Sequence, residues 1–201
     1  MKLSNLILLT IFSMAVFYMQ LWDDRLVTPL YLTVLGVCVV YGTYKKDINI
    51  THIAAVILVF TGIEYAIFET GIVNYVNPSD NKLLQGTLIY GMQILFCLLI
   101  TLLLIFRVQV SRLISKSPKI ELTYFDGIFH WIFMYMSVIN LLGLIENIAW
   151  SYFGWKSWTL IYDNFEGLIY IAWAVCCGAV LTMMICSAKS NGSEDQEPRL
   201  S

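Results

Sequence analysis

Six apolar stretches, each close to the length of a bilayer crossing, take up most of this chain: Leu3–Trp22, Leu26–Tyr44, Ile53–Val73, Leu83–Phe106, Ile128–Ala149 and Gly167–Cys186. A spanning helix needs about 20 predominantly apolar residues, and the connections between these stretches are too short to hold a soluble domain. Hydrophobic residues make up 59% of the 201 and charged residues 13%. A soluble fold of this size cannot hide that much apolar surface, so lipid must be the solvent. Backbone polar groups in lipid have to be paired internally, and an open sheet edge cannot face hydrocarbon. The predicted class is all-α: a polytopic membrane helix bundle of six transmembrane helices, with one domain at residues 1–187 and a disordered polar tail at 188–201.

The first stretch resembles a signal peptide only in having Lys2 before an apolar core. No small-x-small cleavage site precedes Asp23 and Asp24, so it reads as an uncleaved span. All five cysteines fall inside predicted helices, as packing residues rather than a disulfide framework or metal cluster. Asn49-Ile50-Thr51 and Asn191-Gly192-Ser193 match the glycosylation pattern, which recurs by chance. With both termini inside, the inner segments hold Lys2, Lys45, Lys46, Arg107, Arg112, Lys116, Lys119, Lys189 and Arg199. The outer loops then hold only Arg25, Lys82 and Lys156. The positive-inside rule therefore predicts cytoplasmic N- and C-termini in a plasma or bacterial inner membrane.

The six stretches read as three sequential hairpins. The second helix of each carries a tyrosine seven positions before a cysteine: Tyr31 and Cys38, Tyr90 and Cys97, Tyr170 and Cys177. That recurrence suggests a triplicated hairpin, with repeats arranged about an axis along the membrane normal. Among the connections, Asn77-Pro78-Ser79-Asp80 has the composition of a tight turn. Trp150–Asp163 is crowded with aromatics that suit the headgroup zone or the wall of a cleft. Val108–Ser117 continues the fourth helix as an interfacial segment on anionic lipid, ended by Pro118.

Glu64 is the costliest side chain in this pattern. It lies ~16 Å along its predicted helix, near the midplane, where an acid costs ~2.5–3.5 kcal/mol on insertion scales. No Lys or Arg shares its depth, so desolvation favours the neutral acid, hydrogen-bonded to a neighbouring helix. Gln93, heading a Gln93–Cys97–Thr101 stripe, and Asn140 are the candidate partners. As interhelical glue, Glu64 would hold the bundle together; facing a cavity, it would be a functional acid.

A second stripe runs along the fifth helix through Ser137, Asn140, Gly143, Asn147 and Ser151, with Glu146 at its border. Glu69, Glu146, Asp163 and Glu166 lie towards one side of the membrane and could line an acidic vestibule rimmed by Trp150, Trp155 and Trp158. Carboxylates beside aromatic faces suit a cation. Asp163 and Glu166 read equally well as helix-end charges in the headgroup layer. His52 and His130 start two helices at one depth, yet each lies far along the axis from the carboxylates, ~18 Å from Glu64 and ~24 Å from Glu146. The chain contains no zinc motif, nucleophile elbow or phosphate loop, so no cofactor, no metal and no nucleic-acid partner is predicted.

Two functions compete on this reading. One is binding or passage of a small cationic solute, with protonation of Glu64 as a coupling step. The other is a non-transporting accessory, immunity, assembly or sensor protein. In that case Ala174 and Gly178 would pack against a membrane partner or a second copy.

Overall fold

Backbone groups that cannot reach water pair along the chain, and each apolar stretch duly forms a helix. The computed structural model describes residues 3–20, 26–72, 81–115, 117–118 and 120–194. Seven helices lie within them: α1 (Leu3–Gln20), α2 (Val27–Tyr44), α3 (Ile48–Glu69), α4 (Lys82–Ile105), α5 (Arg107–Ile114), α6 (Asp126–Tyr152) and α7 (Leu160–Glu194). Five of these, α2, α3, α4, α6 and α7, are long and apolar enough to cross a membrane; α1 is apolar but shorter. The all-α class of the prediction stands. The predicted turn at 77–80, Lys116, Lys119 and residues 195–201 lie outside the described residues.

Four helix starts, those of α3, α4, α6 and α7, come earlier than hydropathy suggests, because the residues before each apolar run are helical too. Asp47 caps α3, its carboxylate accepting from Ile50 N at 3.2 Å, and Asn81 caps α4 by accepting from Leu84 N at 3.1 Å. α6 begins at Asp126 rather than Ile128, and α7 at Leu160 rather than Gly167. At its other end α7 runs to Glu194, past the boundary predicted at residue 187. The fourth helix does not run on through residue 117. It breaks at Phe106 (φ −92°, ψ 17°), and α5 ends at Ile114 before the extended Ser115. Arg107, just after the break, is buried, and each of its guanidinium nitrogens donates a hydrogen bond.

Packing differs from three sequential hairpins. The most extensive contacts join α4 to α6, α1 to α7 and α2 to α3, while α1 and α2 barely meet. The reason lies in the missing side chains. Helices that are apolar all round gain little from choosing one apolar face over another in lipid, so close backbone approach decides. A Cβ on Gly42 would sit 2.6 Å from Thr51 Oγ1, joining α2 to α3, and one on Gly143 would sit 2.7 Å from the Tyr90 ring, joining α6 to α4. Gly178 meets α1 in the same way, against Leu9 and Ser13. Ala174 is buried as well. The small-residue surface suggested for another chain is therefore occupied at Gly178 by the chain's own α1.

The cysteines of the Tyr–Cys pairs, Cys38, Cys97 and Cys177, are all buried and free, as packing residues should be. Their tyrosines differ. Tyr31 is fully buried, stacked on Trp173 with ring centroids 4.8 Å apart, and its hydroxyl donates to Cys176 Sγ at 3.3 Å. Tyr90 and Tyr170 are only partly buried.

Candidate functional site along the α4–α6 interface

α4 and α6 run antiparallel in a register that holds for their whole length. Gly86 faces Asn147, Tyr90 faces Gly143, and Arg107, just past α4, meets Asp126 at the start of α6. Three polar levels lie along this seam. One is at the basic end, where α5 and the α2–α3 turn with Lys45 and Lys46 lie. One is midway. The third is at the far end, around the α6–α7 connection.

At the basic end Arg107 and Asp126 form a two-pronged ion pair, Nε to Oδ1 at 2.5 Å and Nη2 to Oδ2 at 2.6 Å, with side chains 2% and 8% exposed. Two of the three remaining guanidinium hydrogens are used too: Nη1 donates to Asn49 Oδ1 at 2.8 Å and Nη2 to the Glu121 carbonyl at 2.5 Å. Thr123 donates to Asp126 Oδ2 from both its N–H and its hydroxyl, at 2.6 and 3.0 Å. A planar fork against a carboxylate suits this geometry, and the cluster is neutral as a unit. It ties α3, α5 and α6 together. Asn49, read as half of a glycosylation pattern, is thus an interhelical hydrogen-bonding residue. Nearby, Ser187 donates to the Asp47 cap at 2.6 Å and brings α7 to the same level.

Sequence reasoning missed this cluster, since Arg107 was counted only as an inner-loop charge and Asp126 fell outside the predicted span. The available signal was an arginine directly after one apolar run and an aspartate directly before the next.

At the far end a cleft of about 520 Å³ opens between α4, α6 and the start of α7. Its walls include Tyr90, Glu146, Asn147, Trp150, Trp158 and Tyr162, with Lys82 also lining it. Glu146 is only 4% exposed. Its carboxylate accepts from Tyr162 N at 2.6 Å and Ile161 N at 3.3 Å, in the first turn of α7. Those N–H groups have no partner within their own helix, and the helix dipole favours a negative charge there. Each carboxylate oxygen has two acceptor sites, so Glu146 keeps capacity for a further donor. Lys82 Nζ sits 5.9 Å from the Trp150 ring centroid, in range for a cation–π contact. Asn147 donates to the Leu83 carbonyl at 3.4 Å, and Ser151 Oγ is buried without a partner.

Of the predicted site residues, Glu146, Asn147 and Trp150 come together in this cleft. Glu69 does not: it is exposed at the end of α3 and is not part of the cleft wall. Asp163 and Glu166 are exposed on α7, Asp163 accepting from Thr159 Oγ1 at 2.8 Å, so the four-carboxylate vestibule is not assembled. Trp158 joins the wall while Trp155 stays outside it.

Glu64, Gln93 and Asn140 belong to the middle level. Asn140 is 2% exposed, and its Nδ2 donates to the Met136 carbonyl at 2.9 Å. Glu64 is partly buried and within electrostatic reach of Cys97. Among the described residues, no three His, Cys, Asp or Glu side chains converge as metal ligands. Compared with protein-family models, curated proteins and solved structures, the chain matches none.

Proposed function

We propose that the chain is a six-span membrane protein, with both termini cytoplasmic, that binds or passes a small cationic solute through the far-end cleft. The observation that carries this reading is Lys82. Its ammonium already lies over Trp150 in a cleft whose wall includes the buried Glu146 carboxylate. A tethered cation marks a place where a free one is stabilised by the same aromatic face and the same charge. The cleft's volume lies within the usual range for small-molecule sites. A solute cation would displace Lys82 and use the acceptor capacity that Glu146 keeps.

Thermal stability of the purified protein against a panel of tetramethylammonium, primary amines and matched anions tests the proposal. A cation from the panel should raise the melting temperature of the unaltered protein. Glu146→Gln and Trp150→Leu should lose that shift, and Lys82→Gln should enlarge it by removing the competitor. Stabilisation by anions alone, or equal cation shifts in all variants, would sink it.

The topology has its own test. Reporter fusions after Tyr44, near Ser117 and at the C-terminus should report cytoplasm, and fusions near Asp80 and Lys156 the opposite side. A C-terminus on the outer side would require an odd number of crossings and remove the six-span arrangement. The accessory-protein reading loses its suggested contact surface, because Gly178 already meets α1.

A further inference from the structure

The middle of the α4–α6 seam holds two buried amide oxygens that receive no hydrogen bond, Gln93 Oε1 and Asn140 Oδ1. The register that sets Tyr90 against Gly143 puts Gln93 level with Asn140 three positions deeper on each helix. Measured from the layer where Arg107 meets Asp126 and Asn49, Gln93 and Asn140 lie ~21 Å along their helices and Glu64 ~22 Å along α3. Three oxygen-bearing side chains from three helices therefore share one height. A helical glutamate leans towards its own N-terminus, consistent with the reach of Glu64 to Cys97.

Several local donors are already engaged. Asn140 Nδ2 is bonded to the Met136 carbonyl, which fixes the amide's orientation and leaves Oδ1 as the free atom. Ser137 Oγ donates to the Phe133 carbonyl at 3.0 Å and Thr101 Oγ1 to the Cys97 carbonyl at 2.8 Å. No lysine or arginine occurs in α3, and none in α4 or α6 beyond Lys82 at the far end. A protonated Glu64 carries one hydrogen and can satisfy one amide oxygen, not two.

We infer that Glu64, Gln93 and Asn140 form a binding site for a sodium ion in the middle of the bundle. One monovalent cation neutralises the single carboxylate and serves both amide oxygens. A divalent ion would leave an uncompensated charge at lipid depth. All three ligands are hard oxygens, which exclude thiophilic metals, and so few of them suit a small ion better than potassium. The site lies inward of the cleft along the same seam, and its existence does not depend on what the cleft binds.

The test is the melting temperature of the full chain, purified in detergent, in sodium, lithium and potassium chloride at equal ionic strength. Sodium should stabilise over potassium in a saturable way, with lithium closer to sodium. Asn140→Leu and Gln93→Met remove one oxygen each at similar volume and should abolish the sodium–potassium difference. Gln93 is less buried, so Gln93→Met keeps the test alive if Asn140→Leu fails to fold. Trp150→Leu should retain the difference, which separates failure of this site from failure of the cleft reading. Equal melting temperatures in the three salts, a shift that follows pH alone, or a sodium effect that survives both amide variants would overturn the inference.

Discussion

Asp126→Ala should cost the bundle about 3–5 kcal/mol, because it leaves the Arg107 guanidinium buried with its main counter-charge gone. Arg107 is 2% exposed and cannot recover that loss from water without opening the seam. The two acceptors that remain to it, Asn49 Oδ1 and the Glu121 carbonyl, are neutral. Loss of Asp126 also strands the Thr123 N–H, which would loosen the segment leading into α6. The measurement is denaturant or thermal stability in a fixed detergent, compared with Arg107→Met and with Arg107→Met/Asp126→Leu. The double variant should be markedly more stable than either single one, since paired apolar replacements of a buried ion pair are often near neutral. A single-variant loss under about 1 kcal/mol would place the pair in the class of surface bridges and contradict its burial.

The same cluster shows where sequence reading stops. Hydropathy finds spans because each helix must satisfy its own backbone in lipid, and that constraint is written locally. Arg107 and Asp126 are nineteen residues apart in sequence, joined across a connection with no helical period from α5 to α6, so no pattern links them. Their charges also look like ordinary inner-loop charges. Asn49 was hidden in the same way, since a polar residue next to an apolar run reads as loop until α3 is seen to start at Ile48.

Helix pairing was illegible for a different reason. In lipid, inward and outward faces are both apolar, so no amphipathic period says which face meets which neighbour. Chain order suggested α1 beside α2, whereas α1 packs on α7 through a glycine far away in sequence. The polar stripes did carry information. Gly143 and Asn147 do share one face, as the three- and four-residue steps implied, and the structure sets that face against α4. Glu146 was legible as a carboxylate bordering the polar stripe but not as the group bonded to the first turn of α7, because that helix starts seven residues before its apolar run.

Gly178→Ala should destabilise the protein by about 1–3 kcal/mol through overpacking against α1. A Cβ there would lie 2.9 Å from Ser13 N and 3.1 Å from the Leu9 carbonyl oxygen, with Ser13 Oγ closer still. Ser13 Oγ can rotate away; the two backbone atoms can retreat only if the whole of α1 shifts. Helix propensity works the other way, since alanine is preferred over glycine within a helix by about 1 kcal/mol. A net loss can therefore come only from the contact. Gly91→Ala is the matched control: nothing lies within 4 Å of its Cβ position, so it should be neutral or slightly stabilising. Ser13→Gly combined with Gly178→Ala should recover part of the loss, because the hydroxyl clash disappears while the main-chain clash stays. Gly178→Leu should go further and detach α1, seen as new protease sensitivity near the N-terminus. If Gly178→Ala and Gly91→Ala prove equally stable, the α1–α7 seam is not held by backbone approach. The account of why these helices pair as they do would then fail with it.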